Sequence, residues 1–261
     1  MKRSLKPFAA TLLLLLWAGG ACADSTRDAW AELRGERFEK NPGFVLPDND
    51  PALPNVLIYG DSISIGYTQR VRENLKGEAN VYRLYCNGGD SSSFIDKMSR
   101  MHSVMRDPKL DKPWTFQWDV VHFNVGLHDL KHVSEGRLDK KNGKQVSLID
   151  TYKENLNKII AYLQKLSPDA QLIFATTTPV PEGEPGRIAG DAAKYNAAAL
   201  EVLRSHPEIA INDLYAFTKP NQARWWVEPG NVHYNGAGQK AQGDEVARII
   251  REALDKKGEA Q

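Results

Sequence analysis

Cysteine is scarce, with Cys22 and Cys86 the only two in 261 residues. Cys22 falls in a segment that reads as a removable leader, so one thiol remains. An exported chain with one thiol has no internal disulfide and must draw its stability from a buried core. Cys86 has no basic sequence neighbour to activate it, so it reads as a small buried residue at a strand end. Net charge is lacking too, with 34 Lys and Arg against 33 Asp and Glu. Without a basic field the chain offers nothing to a phosphate backbone, which argues against a nucleic-acid partner. No internal repeat or low-complexity tract stands out. The apolar run from Leu12 to Trp17 is too short for a permanent membrane span.

That run does have a meaning in its place. Lys2, Arg3 and Lys6 precede it and the small residues Ala21-Cys22-Ala23 follow it, the pattern of a secretory signal peptide over residues 1–23. Cys22 raises the alternative of a lipoprotein. Gly19, where a lipoprotein signal carries Leu, favours cleavage after Ala23 and a secreted or periplasmic product. Removing three basic residues leaves 31 against 33 acidic, about −2.

The remaining length suits one α/β domain. Residues 24–54 mix charged and Pro/Gly-rich pieces and read as a wrapping N-terminal arm. Residues 55–257 carry the domain. Short apolar runs at Val56 to Tyr59, Ala79 to Tyr85, Trp118 to Asn124, Gln171 to Thr176 and Ile209 to Asn212 read as five strands. Helical periodicity lies between them: Tyr67, Val71 and Leu75; Phe94 to Met105; Tyr152 to Leu163; and a helix through Leu203 capped by Asp191. Residues 213–234 read as a long connection, after which Asn235 caps a last helix. Lys131 to Gln145 reads as a surface loop or small hairpin near the mouth of any site. Strands alternating with helices imply a parallel sheet covered on both faces.

The chain is organised around Asn55 to Tyr67, where a buried strand stops at Gly60-Asp61-Ser62 and a helix follows. Such strand-to-helix crevices bind ligands, and a helix N-terminus offers free N–H groups. Asp61 reads as a structural acid at the helix start. Gly88-Gly89 after the second strand, Gly126 to Asp129 after the third, and Asn231-Val232-His233 before the last helix converge on the same edge. A serine hydroxyl needs a base to take its proton, and His233 titrates in the right range. His128 and His132 have i, i+4 spacing with Asp129 beside one of them, which suits a metal only on a helix and with a third ligand that the sequence does not supply. His122, inside a strand, reads as a core histidine. Trp225-Trp226 precedes His233 closely enough to line the mouth, although one of the pair is expected inside. Arg187, on a proline-stiffened loop, reads as solvated, with an acidic substrate as the alternative.

This order of blocks resembles the SGNH (GDSL-type) hydrolase superfamily, from Val56 to the final helix. The resemblance rests on Gly60-Asp61-Ser62 and on a histidine just ahead of the last helix. It implies a three-layer α/β/α, flavodoxin-like fold with a five-stranded parallel sheet, and a serine esterase mechanism without cofactor or metal. By that likeness Ser62 is the nucleophile and an oxyanion donor, Gly89 gives a second backbone donor (Gly88 if the turn is shifted by one), and His233 is the general base. Two positions depart from the pattern. The third block, Gly-x-Asn-Asp in the family, reads Gly126-Leu127-His128-Asp129, so His128 stands in for the oxyanion-binding Asn. The last block, Asp-x-x-His in the family, has Gly230 three before His233, leaving Glu228, Asn231 or a backbone carbonyl to orient the imidazole. The expectation is hydrolysis of a small ester, above all a short acyl group on carbohydrate. A lipolytic or thioester substrate is the alternative within enzymes, and a non-catalytic binding protein the alternative outside them.

Overall fold

The computed structural model describes residues 24–259; the leader expected over 1–23, with Cys22, lies outside them. The arm is more regular than its turn-rich sequence suggests. Ser25–Arg34 forms helix α1 and two single 3-10 turns follow at Glu36–Phe38 and Pro42–Phe44. Trp30 drives this order, because its ring is buried against Trp114 and its indole N–H donates to the Phe44 carbonyl at 2.7 Å.

The domain proper alternates strand β1 (Asn55–Tyr59), helix α2 (Ser62–Asn74), β2 (Asn80–Arg83), α3 (Phe94–Met105) and β3 (Val120–Phe123). A small antiparallel meander follows, β4 (His132–Ser134), β5 (Arg137–Leu138) and β6 (Lys144–Gln145). Then come α4 (Ile149–Leu166), β7 (Gln171–Ala175), α5 (Asp191–Leu203), β8 (Ala210–Asn212), α6 (Leu214–Thr218), α7 (Gln222–Trp225) and α8 (Gly236–Glu259). The expected long connection over 213–234 thus contains two short helices, which have too few residues to show a period. Gly190 rather than Asp191 occupies the cap position of α5, and Asp191 lies inside the first turn, paired with Lys194 at 2.8 Å. Asn235 does cap α8, its Oδ1 accepting the Ala237 and Gly238 N–H groups at 3.1 Å.

The five main strands are parallel in the order β2-β1-β3-β7-β8. The chain steps from β1 outward to β2, then returns past β1 to β3. Right-handed crossovers therefore place α2 on one face and α3, α4 and α5 on the other, and α8 packs beside α2. This is the three-layer, flavodoxin-like arrangement expected, with all of β1, β2 and β3 buried as a sheet covered on both sides requires. Reversal of strand order between β1 and β3 opens a crevice above their carboxyl ends, and the segments leaving both strands enter it. Among the described residues, no helix is long and apolar enough to cross a membrane.

Candidate active site

Ser62 is the first residue of α2. Asp61 stops the extended chain and caps the helix by accepting the Ile63 N–H at 2.8 Å, and its carboxylate is buried. As a first-turn group, the Ser62 N–H has no acceptor among the described residues. The turn is braced from beneath, where Ser64 Oγ donates to the Asp61 carbonyl at 2.7 Å and receives an Arg83 N–H at 3.1 Å. Arg83 is fully buried without a carboxylate partner. It lies 4.1 Å over the Phe44 ring and donates to the Leu84 carbonyl at 2.9 Å, and burial pushes its pKa down to about 9.

His233 reaches Ser62 from the other end of the domain chain. Its Nε2 lies 2.9 Å from Ser62 Oγ, although the two residues are 171 positions apart. Its Nδ1 lies 2.7 Å from Asn231 Oδ1, which also accepts the His233 backbone N–H at 3.0 Å. Asn231 Nδ2 in turn donates to Glu228 Oε1 at 3.0 Å. A backbone donor on one side and a carboxylate acceptor on the other leave the amide one orientation. Its oxygen faces the imidazole, so the proton sits on Nδ1 and Nε2 is free to accept from serine. The two sequence candidates for an orienter thus act in series. Gly230, where the family pattern has its acid, adopts φ +77°, and a Cβ there would meet the Gly183 carbonyl oxygen at 3.3 Å. The backbone route that excludes a side chain at 230 is the one that brings the 231 amide under the ring.

The third and second blocks sit opposite. His128 shares an open cleft of about 660 Å³ with Ser62, His233, Asn87, Lys131 and Glu228. Burial, with the Lys131 and Arg187 cations nearby, lowers its pKa to about 4, so the ring is neutral near pH 7. Asp129 is buried and accepts the Ser91 N–H through both oxygens, at 3.1 and 3.0 Å, tying the His128 loop to the turn after β2. In that turn Gly88 is a packing necessity. Its N–H donates to the Gly60 carbonyl at 3.0 Å, and a Cβ would lie 2.8 Å from that oxygen. The Gly89 N–H donates to Asn87 Oδ1 at 3.0 Å. Neither glycine presents a free donor; the carboxamide of Asn87, unforeseen in the sequence, holds that of Gly89.

Other candidates fall elsewhere. Neither tryptophan lines the Ser62 cleft. Trp226 faces an adjoining cleft of about 690 Å³ that shares only the Glu228-Pro229-Gly230 ridge, and Trp225 packs on Phe217 with ring centroids 5.7 Å apart. Arg187 is buried rather than solvated. It lines the Ser62 cleft, forms an ion pair with the equally buried Glu184 and donates to the Leu127 carbonyl at 2.8 Å, which braces the His128 loop. His132 lies on β4, not on a helix, which removes the i, i+4 geometry of a His128/His132 metal pair. Among the described residues, no group of three or more His, Cys, Asp or Glu is placed to hold a metal ion. His122 is buried in β3 beside Asn212 at 3.1 Å, and Cys86 is half-buried in the segment beyond β2, rather than at the strand end, with its thiol pKa raised by burial.

Comparison with known proteins agrees with this geometry at the level of fold and family. A model of the GDSL-like Lipase/Acylhydrolase family matches residues 58–241. Among solved structures, the lipase/acylhydrolase from Enterococcus faecalis superposes with a TM-score of 0.56 at 18% identity, over 76% of this chain and 96% of that one. Axe2, an acetylxylan esterase from Geobacillus stearothermophilus, gives 0.54 at 17%, covering 76% and 94%. The catalytic domain of the peptidoglycan O-acetyltransferase of Streptococcus pneumoniae gives 0.52 at 16%, covering 78% and 96%. No curated protein sequence matches.

Proposed function

Because this chain belongs to the GDSL-like lipase/acylhydrolase family, we propose that it is an exported serine esterase that removes short acyl groups, acetyl above all, from carbohydrate. One observation carries the reading: Ser62 Oγ lies 2.9 Å from Nε2 of an imidazole whose Nδ1 lies 2.7 Å from Asn231 Oδ1. His233 Nε2 takes the hydroxyl proton as Ser62 Oγ attacks the acyl carbonyl. Negative charge gathering on the carbonyl oxygen is met by the Ser62 N–H and by a ring N–H of His128. Collapse expels the alcohol, which takes the proton from His233. Water, activated by the same nitrogen, then releases the acid and frees Ser62.

The cleft itself supports a polar alcohol. It is open rather than a deep channel, and Lys131, Asn87, Glu228 and Asn231 line it beside Val133, Leu138 and Val232. A lipid or long acyl thioester calls instead for a deep apolar channel. The Geobacillus and Streptococcus neighbours, named for acetylxylan and for peptidoglycan O-acetyl transfer, favour the same substrate class. A binding protein without chemistry has no use for an oriented imidazole on a serine.

The test is covalent labelling. An alkyl sulfonyl fluoride should add one sulfonyl group to Ser62 and stop hydrolysis of nitrophenyl acetate, and Ser62→Ala should neither label nor turn over. Equal rates for the two proteins would end the esterase reading. The pH profile is a second expectation. His233 works only as the neutral base, and burial lowers its pKa, with the Arg187 and Lys131 cations adding to the effect and Asp61 and Glu184 opposing it. The acid limb of kcat/KM should therefore have its midpoint below the free-imidazole value of about 6.5. A midpoint above 7 would show that a carboxylate, and not Asn231, governs the ring.

A further inference from the structure

We propose that the cleft beyond the Glu228-Pro229-Gly230 ridge is a subsite for the sugar residues that flank the acylated one, so that the substrate is a stretch of polymeric glycan rather than a single acylated sugar. The inference rests on the esterase reading for the reaction at Ser62, but the subsite stands on its own geometry. At about 690 Å³ this cleft matches the one of about 660 Å³ that holds Ser62, and the two meet along the ridge. Pockets that bury most of a small ligand span about 300–1,000 Å³. A sugar ring offers apolar C–H faces and an edge of hydroxyls, so its site needs flat carbon surface with hydrogen-bonding groups around it.

The cleft has both. Trp226 is half-buried and lines it, and because the indole nitrogen is itself buried, the part of the ring at the cleft is carbon. Tyr215 supplies a second ring, with the Lys219 ammonium 5.3 Å from its centroid. Glu182, Lys219 and Gln222 stand around these rings. Among the described residues none of these three side chains is hydrogen-bonded or ion-paired within the protein, so each is free to meet a hydroxyl. An acyl chain in their place would strip water from charged and amide groups without replacing the lost hydrogen bonds. The cleft is also tied to the catalytic base. Trp226 pairs with Tyr234 in an isolated antiparallel bridge, the Val227 N–H donates to the His233 carbonyl at 2.9 Å, and the Asn235 N–H donates to the Trp225 carbonyl at 2.7 Å. A sugar stacked on Trp226 is therefore held in a fixed relation to the imidazole, which lets binding remote from the ester raise kcat as well as lower KM.

The experiment measures acetate release by the purified protein from O-acetylated oligosaccharides of xylose, mannose and N-acetylglucosamine, each from monosaccharide to hexasaccharide. In at least one series kcat/KM should climb about tenfold or more with chain length. Trp226→Ala should flatten that climb, and Gln222→Ala should reduce it about threefold, as for one neutral hydrogen bond lost. Gln222→Ala, whose side chain has no partner in the protein, carries the test where Trp226→Ala fails to fold. A flat length dependence in every series overturns the proposal, as does a climb that neither variant diminishes. The rival occupant has its own arm. On nitrophenyl esters kcat/KM should not rise from acetate to decanoate, and a rise that Trp226→Ala or Gln222→Ala abolishes would give the cleft to the acyl chain and overturn the proposal. If the protein hydrolyses no ester, the esterase reading falls, and calorimetry of the same oligosaccharides, unacetylated, with the Ser62→Ala protein decides the subsite. Affinity that grows with length and is weakened by adding Gln222→Ala supports it, and the absence of binding overturns it.

Discussion

Replacing His233 with alanine is expected to lower kcat on a short-chain nitrophenyl ester by about 10⁴-fold with little change in thermal stability. The magnitude follows from chemistry, because a serine hydroxyl beside no base stays protonated at neutral pH and attacks a carbonyl extremely slowly. The small structural effect follows from position. His233 keeps a solvent-exposed edge at the cleft although the cleft wall partly desolvates its imidazole, and its ring hydrogen-bonds only to Ser62 and Asn231. The flanking order comes from elsewhere, from the Val227 N–H to His233 carbonyl bond at 2.9 Å, which survives the substitution, and from Asn235. Ser62→Ala should cost about as much, and the double variant scarcely more, since the two groups act in one proton transfer. Multiplying losses in the double variant would mean that the residues work separately.

Asn231 should give the second large effect. Asn231→Leu leaves the Nδ1 proton without an acceptor and lets the ring take the wrong tautomer, a loss of about 10²- to 10⁴-fold in kcat. An asparagine is a poor orienter when its amide can rotate and offer N–H where oxygen is needed. Here Glu228 and the His233 N–H prevent that rotation. Glu228→Ala should therefore cost about tenfold in the natural background, as the amide begins to sample its other face. In an Asn231→Asp background the same change should cost nothing. A carboxylate has no wrong face, and removing Glu228 relieves two like charges held side by side. The comparison of the four kcat values isolates the amide orientation. An undiminished cost of Glu228→Ala in the Asn231→Asp background would show that Glu228 serves the substrate instead.

Much of this architecture can be read from residue order. The five strands follow from short apolar runs closed by glycine or polar turns, and the placement of Ser62 follows from the abrupt end of the first run. Asn231 and Glu228 are visible as candidates because they flank His233 at close sequence range; their linkage in series is not, since it depends on the path that Gly230 imposes. Arg187 misleads because an isolated charge in a loop looks solvated until its buried partner Glu184 and the Leu127 carbonyl are seen around it. The tryptophan pair stands out by size, yet α7 turns one ring onto Phe217 and the other into the neighbouring cleft. Helix α1 is masked because the turn signals at Asn41-Pro42-Gly43 and Asp48 to Pro51 set the tone for the whole arm.

The two reacting residues stand at the starts of α2 and α8, and Arg70 and Asn74 of the first helix both grip Asp244 of the second, at 2.6 and 2.8 Å. On the ribosome the serine emerges 171 residues before the imidazole. A nascent chain therefore lacks the Ser62–His233 pair until α8 settles against α2. On the proposed esterase reading, docking of these two helices completes the Ser62–His233 pair, and a change that loosens their contact separates base from hydroxyl.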